Sequence, residues 1–357
     1  DQFFGFWHGS REFMAGHYNF NSDPDSSLQL RYFREALIHP NGSKTDVVKE
    51  YTDYHDKRND PNPPPQYITS MIGDYAEQFV TDHHDDPEPF FLYVAHPAPH
   101  KPWTNNSPDY DDPRISSLTP NNRRQVASMM ITMDKEIGDL MDRLNDPNQD
   151  GNNSDSITDN TLVVFLNDNG GVAGMESGVN GTSNGILNGF KGSAHDGGIR
   201  VPMIMAGAGI DPSKAGTVFD KPVHGIDLLP TSVALAGGTI DPSEKVDGVN
   251  LIPHLNGSNT ALPHDTLVHR WRGTFAVIQD NWKLVNTRNT NASPGFYKLH
   301  NLTTDPSEAN DVSGLAANAA RVESMTRGVT HQEAQWDKPR YPILNRTLDT
   351  EPLNIAR

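Results

Sequence analysis

The sequence predicts an α/β protein: a three-layer α/β/α main domain, its mostly parallel sheet covered on both faces, and a small antiparallel C-terminal domain. Three observations predict it. Apolar runs at 90–95, 161–166 and 201–206 are separated by stretches with helical periodicity, the order expected of crossover connections. After Gly238 the apolar runs become short and closely spaced, as in an antiparallel sheet. At 357 residues the chain can bury one large core and one smaller one. The boundary is placed near residue 257, giving domains 1–257 and 258–357.

Residues 1–66 read as irregular, aromatic-rich and punctuated by Pro, Asn and Asp, ending in the stop Pro61-Asn62-Pro63-Pro64-Pro65. From Gln66 to Asp82, residues Ile68, Met71, Ile72, Tyr75 and Phe79 fall on one helical face. Phe90–Ala95 reads as a buried strand. Thr119 and Pro120 predict an N-cap and a first-turn proline. The helix they open carries the stripe Val126, Met129, Met130, Met133, Ile137, Leu140, Met141 and Leu144, whose methionines are core filler. A polar loop over Pro147–Asp159 leads to the run Thr161–Leu166, and Val201–Ala206 is the third strand of the main domain. Leu267–Arg270, Phe275–Gln279 and Lys283–Val285 are predicted short strands, followed by a helix near Leu315–Arg327. The Gly-, Asn- and Ser-rich stretch 170–189 is expected to be a mobile loop rimming a site. Its glycines do not follow a strand-to-helix phosphate fingerprint.

Composition narrows the partners. A formal charge of −17 argues against nucleic acid and anionic membranes. No apolar stretch approaches the ~20 residues that span a bilayer. The chain contains no cysteine and so no disulfide. Asn-x-Ser/Thr sequons begin at Asn41, Asn105, Asn152, Asn180, Asn256, Asn291, Asn301 and Asn345, a number that an Asn-, Ser- and Thr-rich composition can produce unaided.

The chemistry concentrates where the run 161–166 ends in Asp168-Asn169-Gly170-Gly171. Ligands of open α/β sheets bind beyond the carboxyl ends of strands, and a carboxylate with an amide carbonyl supplies hard oxygens of the kind Ca²⁺ or Mg²⁺ takes. Alone, these residues are equally an Asx turn. Two further motifs accompany them: Ala98-Pro99-His100-Lys101-Pro102 after the run 90–95, and Lys191-Gly192-Ser193-Ala194-His195-Asp196-Gly197-Gly198-Ile199-Arg200-Val201-Pro202 before the third run. With these three in order, the chain resembles the sulfatases, the formylglycine-dependent branch of the alkaline-phosphatase-like hydrolases. Similar later landmarks are His224–Thr231, Asp247–Leu251 and Tyr297–Glu308.

The resemblance implies a sulfuric ester hydrolase acting on a sulfated carbohydrate or an aryl sulfate, secreted or periplasmic. It implies that Asp168 and Asn169 are half of a metal site, with Ca²⁺ ahead of Mg²⁺. By the same resemblance Lys191 contacts a sulfate oxygen, and His100 sits beside the bridging oxygen. His96, Trp103, His195 and Arg272 are candidate substrate contacts, as are Trp7, His8, Arg11, His17 and His269. Asp196 is expected to pair with Arg200, and Asp227 to cap a helix.

Departures from the family pattern carry equal weight. The Cys/Ser-x-Pro-x-Arg motif that yields formylglycine has no match: Ser22-Asp23-Pro24 is followed by Ser26 where arginine is required. Asp85-Asp86 and Asp111-Asp112 do not follow an apolar strand, as the family's paired metal ligands do. The opening Asp1–Phe6 resembles a segment that lies partway into the family. The expectation is a sulfatase whose nucleophile-bearing N-terminal part lies outside these residues, or one that self-associates to cover its sheet. A truncated non-catalytic relative that binds sulfated glycans, and a phosphoester or phosphonate hydrolase of the same superfamily, are the alternatives.

Overall fold

The computed structural model describes residues 2–5, 34–38, 44–47, 67–101, 103–172, 181–271, 274–286 and 297–335. The chain forms two compact units, Asp1–Asp159 and Asn160–Arg357. The sequence-based boundary near residue 257 falls inside the second.

The first unit holds a three-stranded antiparallel sheet, β1 (Gln2–Gly5), β2 (Arg34–Ile38) and β3 (Lys44–Val47), with Phe3 opposite Ala36 and Leu37 opposite Thr45. This corrects the reading of 1–66 as wholly irregular. Strands this short, mixing Arg34, Glu35, Lys44 and Asp46 with apolar residues, leave no run long enough for a period to emerge.

Two helices follow. Helix α1 (Ile68–His83) buries Ile68, Met71 and Ile72, as its sequence predicts, and continues the ridge through Ala76 and Val80 in place of the expected Tyr75 and Phe79. Tyr75 and Phe79 lie at the margin of that ridge, where the Phe79 ring meets Phe90 edge-on at 5.6 Å. Helix α2 (Asn121–Asn145) starts one residue later than the Thr119 cap implies, because the Pro120 carbonyl accepts from Arg123 N–H at 2.9 Å. The helices approach closely at Gly73, where an added methyl would overlap Glu136. Arg143 pairs with Glu77 at 2.7 Å farther along.

The α2 stripe is only partly core. Val126, Met129 and Leu144 are buried, but Met130 is 47 % exposed, while Ser128, Thr132 and Glu136 are buried in its stead. The loop before α2 makes this possible. Thr132 Oγ1 donates to Asp109 Oδ2 at 2.8 Å and lies 2.9 Å from Ser107 Oγ, so the buried hydroxyls are satisfied.

The run Phe90–Ala95 is not a strand. Among the described residues no neighbour offers it a hydrogen-bond ladder, and Phe91 and Tyr93 are 74 % and 80 % exposed. Apolar sequence marks a strand only where a second backbone lies alongside.

The second unit contains β4 (Leu162–Leu166) and β5 (Met203–Gly207), paired with Val164 opposite Met205. The pair is antiparallel, as is every other strand pair among the described residues, so the mostly parallel sheet is corrected. The reason lies in the connection. Parallel strands need a crossover, usually a helix, that carries the chain back over the sheet. Here residues 167–202 return to the end they left, with Asn167 N–H donating to the Pro202 carbonyl at 3.3 Å, and the one helix among their described residues, α3 (Asp196–Ile199), has 4 residues.

Beyond the short helices α4 (Leu228–Leu235) and α5 (Ile252–Leu255) comes a four-stranded meander. Its strands are β6 (Leu267–Trp271), β7 (Thr274–Gln279), β8 (Trp282–Asn286) and β9 (Tyr297–Asn301). Alternation gives each face its own cover. Phe275, Val277, Leu284 and Leu299 form a fully buried cluster with Met325 of α6 (Ala319–Gln335). On the opposite face Ala276 and Val285 pack against Ala194 and Ile199. The small sheet therefore carries the segment that contains Lys191 and His195.

Leu284→Ala should destabilise the protein by about 2–5 kcal/mol, the range for an emptied core site. Urea denaturation at pH 7 would measure it, and a loss below ~1 kcal/mol would contradict the packing described.

Candidate active site

Three glycine-rich turns form one knot at the end of β4. Gly170 N–H donates to the Gly198 carbonyl at 3.0 Å, and Lys191 N–H donates to the Gly171 carbonyl at 3.0 Å. A methyl on Gly170 would overlap the Gly197 carbonyl oxygen, and one on Gly197 would overlap the Gly189 carbonyl. Glycine is required at both because backbone meets backbone. Asn184 is the clip: its Oδ1 accepts from Gly171 N–H at 2.8 Å, while its Nδ2 donates to the carbonyls of Gly171 (3.1 Å) and Gly189 (3.0 Å). The expected mobile loop 170–189 is thus pinned on its described flanks, and residues 173–180 lie outside the described residues.

The knot joins Asp168-Asn169 to the Lys191 loop, as the motifs imply. Asp168 is exposed, and its carboxylate accepts no hydrogen bond among the described residues. Lys191 is half-buried and forms no ion pair among them. A hard divalent cation fits the oxygens of Asp168 and Asn169 in kind, and among the described residues the carboxylate is not committed elsewhere. The His, Asp and Glu side chains that do converge closely among the described residues are Asp74, Glu77 and Glu136, in the other unit. There Glu77 is already paired with Arg143, and burial pushes Asp74 and Glu136 above the usual carboxylate range.

His96, His100 and Trp103 belong to the first unit. The His100 backbone N–H donates to the Pro97 carbonyl at 2.8 Å, and Nδ1 lies 2.6 Å from the Lys101 carbonyl. A carbonyl can only accept, so Nδ1 carries the proton and Nε2 faces outward on an exposed side chain. Trp103 secures this loop: its indole N–H donates to the Pro99 carbonyl at 3.1 Å, and its ring packs against the Tyr67, Ala98 and Met129 cluster. Burial pushes His96 down to about 4, so its ring is neutral at pH 7.

His195 lies in the second unit, its Nδ1 3.1 Å from Glu308 Oε1. Asp196 reaches Arg200 at 3.6 Å, as expected, but meets Lys283 more closely, at 2.5 Å. Sequence reasoning missed Lys283, Glu308 and Asn184 as parts of the site, although Glu308 closes the last family landmark. Asp227 occupies the N-cap position of α4, as expected, but its side chain caps the preceding turn Gly225–Asp227 in a capping box with His224 and not α4 itself. Its carboxylate accepts from His224 N–H (2.8 Å) and Val249 N–H (2.9 Å) and pairs with His264 at 2.8 Å, so it ties three segments together. His269 stacks on His224 at 4.8 Å, and burial pushes it down to about 3. Arg272, Trp7, His8, Arg11 and His17 lie outside the described residues.

The sulfatase family's sequence model matches residues 9–238. The chain belongs to the sulfatase family. Among curated proteins it is similar to a sulfatase of Formosa agariphila, 34 % identical over 187 residues, which are 51 % of this chain and 32 % of that one. Arylsulfatase J of Mus musculus is 30 % identical over 78 % of this chain and 50 % of its own length. An N-acetylgalactosamine-6-O-sulfatase of Bacteroides thetaiotaomicron is 26 % identical over 69 % and 47 %. The chain therefore spans about half or less of these relatives' lengths. Among solved structures it superposes on Ps i-CgsB in complex with k-i-k-neocarrahexaose with a TM-score of 0.72, at 27 % identity, covering 96 % of this chain and 68 % of that one. The fold is the alkaline-phosphatase-like α/β fold of the sulfatases.

His96 should leave a signature in acid. Its folded pKa lies below the unfolded value of 6.5, so below pH 6.5 the unfolded chain binds the proton first. Its contribution is complete above that pH and is lost between 6.5 and about 4. The loss approaches ~3 kcal/mol, at 1.36 kcal/mol per pH unit. Urea denaturation at pH 7 and pH 4.5 should show a smaller acid loss in His96→Gln than in the wild type; equal losses would contradict the burial.

Proposed function

We propose that this sulfatase-family chain serves the hydrolysis of sulfuric esters on a sulfated carbohydrate, with Asp168, Asn169, Lys191 and His100 in the roles the family motifs give them. One observation carries the reading: the backbone knot fixes Asp168 and Asn169 beside the Lys191 loop, and among the described residues neither the Asp168 carboxylate nor the half-buried lysine has an ion-pair partner. An ammonium without an ion pair among the described residues, on a loop held by backbone hydrogen bonds, is a ready partner for an anion. The sulfuryl group carries spread negative charge throughout its transfer, so a fixed cation lowers the barrier without reorganising.

Asp168 and Asn169 are the residues that would hold a divalent cation, Ca²⁺ before Mg²⁺. Such an ion would add Lewis-acid stabilisation of the sulfate oxygens. Lys191 binds a sulfate oxygen as a point charge. His100, with Nδ1–H held by the Lys101 carbonyl, offers Nε2 to the ester oxygen, where it can hold the proton the leaving alcohol needs. The k-i-k-neocarrahexaose bound by Ps i-CgsB and the name of the N-acetylgalactosamine-6-O-sulfatase favour a sulfated galactose-type sugar over an aryl sulfate. The overall charge of −17 opposes such a substrate at long range, so Lys191 must act locally. A secreted or periplasmic location is part of this proposal.

In the native protein, Lys191→Ala and His100→Ala should each slow release of sulfate from a sulfated galactoside by roughly 10²-fold, the effect of losing one transition-state contact. Asp168→Ala should abolish both Ca²⁺ binding, measured by calorimetry, and sulfate release. Unchanged Ca²⁺ affinity in Asp168→Ala would remove the metal role, and near-normal rates in both other variants would remove the catalytic one.

A further inference from the structure

A buried charge cluster supports the Lys191 loop from below. Lys283, on the β8 face that receives Ala194 and Ile199, is wholly buried. Its ammonium lies 2.5 Å from Asp196 Oδ1 and 3.1 Å from Glu308 Oε1, and neither carboxylate side chain exposes more than 3 % of its surface. Glu308 also takes the Asp196 backbone N–H on Oε2 at 2.7 Å and meets His195 Nδ1 at 3.1 Å on Oε1. One carboxylate, 112 residues downstream of Asp196, thus holds a lysine, a backbone amide and an imidazole together.

Glu308 is ionised. Burial would raise its pKa, but the His195 hydrogen bond, the Lys283 charge and the Asp196 N–H outweigh burial and hold it below the usual range. An ionised carboxylate only accepts, so His195 Nδ1 must carry a proton in either charge state of the ring. Asn188 Nδ2, a donor 3.5 Å from the same Nδ1, lies at the outer limit of a hydrogen bond and yields to the 3.1 Å contact with Glu308. That leaves Nε2 as the free nitrogen, without a hydrogen-bond partner among the described residues. The imidazole retains 16 % exposure while the carboxylate behind it has none. The Glu308 backbone sits at φ +51°, in the left-handed region that disfavours a residue with a Cβ. Such a conformation persists only where surrounding contacts over-determine it, and strain of this kind gathers at functional sites.

We propose that Glu308, braced by Lys283, is a positioning residue that fixes His195 with Nε2 outward, so that His195 reads a hydroxyl of the substrate sugar next to the sulfate bound by Lys191. The inference rests on the sulfated-sugar reading and deepens it. In the neutral ring, Nε2 is an acceptor, which suits a hydroxyl donor. His195 is bound into the same knot as Lys191: its carbonyl accepts from Gly198 N–H at 2.8 Å, and its N–H donates to Ser193 Oγ at 3.0 Å. A ligand with both a sulfate and a hydroxyl would engage both residues, whereas inorganic sulfate would engage Lys191 alone.

Calorimetric titration of the native protein and its variants with galactose 6-sulfate, glucosamine 6-sulfate and inorganic sulfate tests this. Glu308→Gln should weaken the better-bound sugar sulfate by about tenfold, the value of one neutral hydrogen bond at its upper range. Affinity for inorganic sulfate should stay within about twofold, since that contact belongs to Lys191. His195→Ala should give the same loss, and Glu308→Gln added to it should cost nothing more, because both act through one contact. Glu308→Asp, which keeps the charge, should recover part of the loss. The imidazole ¹⁵N spectrum should show His195 protonated on Nδ1 in the wild type and a mixture of tautomers in Glu308→Gln. A parallel loss of sugar and sulfate affinity, or additive losses in the double variant, would mean a structural clasp only and would overturn the proposal. Should Glu308→Gln fail to fold, a wild-type His195 with its proton on Nε2 alone would overturn it just as well. Binding of the sugar without hydrolysis would defeat the sulfatase reading and leave this inference standing. Hydrolysis with Glu308→Gln and His195→Ala both at wild-type sugar affinity would do the reverse.

Discussion

The site depends on backbone passing against backbone without room for a side chain. Gly170, Gly197 and Gly198 let the turn after β4 and the start of α3 come into hydrogen-bond contact, with Gly170 N–H on the Gly198 carbonyl. Nothing larger than glycine fits at these crossings, so the placement of Asp168 and Asn169 beside the Lys191 loop is set by sterics before any side-chain interaction acts. Asn184 then satisfies backbone groups on both strands of the knot, and the antiparallel return of β5 against β4 closes it.

Underneath, the four-stranded sheet works with two unlike faces. Against α6 it is purely apolar, with Phe275, Val277, Leu284, Leu299 and Met325 excluded from solvent. Against α3 it combines small apolar contacts, Ala276 and Val285 on Ala194 and Ile199, with the Lys283 cluster. A buried ion pair is a poor source of net stability, because desolvating the charges offsets most of their attraction. It is a strict locator, since any shift leaves an unpaired buried charge that costs several kcal/mol. Apolar packing on one face thus stabilises the sheet, while the charged contact on the other fixes where the loop above it must lie.

How much of this the sequence discloses follows from the range of each interaction. Helix α1 and the strands β4 to β8 are legible because their period or apolar run lies within one short window, as with Ile68, Met71 and Ile72 or Val163–Leu166. The turn Asp168–Gly171 and the lysine loop are legible as motifs, and the knot brings them together. What eludes the sequence is pairing between distant windows. β1 pairs with β2 across residues 6–33, the run Phe90–Ala95 has no ladder among the described residues, and the direction of β5 depends on where residues 167–202 return. Lys283 reads locally as an ordinary strand residue on a solvated face. Only the fold shows that Asp196 and Glu308 meet it there.

Charge gives the same lesson at larger scale. A chain with a formal charge of −17 is a poor long-range attractor of sulfate esters, yet several acidic groups of the second unit are committed among the described residues. Asp196 and Glu308 are bound to Lys283, and Asp227 to His264 and two backbone amides. Within the Debye length of roughly 8 Å at physiological ionic strength, the local arrangement outweighs the total. At the knot that arrangement is one exposed carboxylate, Asp168, and one half-buried ammonium, Lys191, neither with an ion-pair partner among the described residues. Two opposite charges held on one backbone knot without pairing to each other can each take a partner of opposite sign. In the function proposed, a cation would answer the first and an anion the second, and a metal-bound sulfate ester would supply that combination in a single complex.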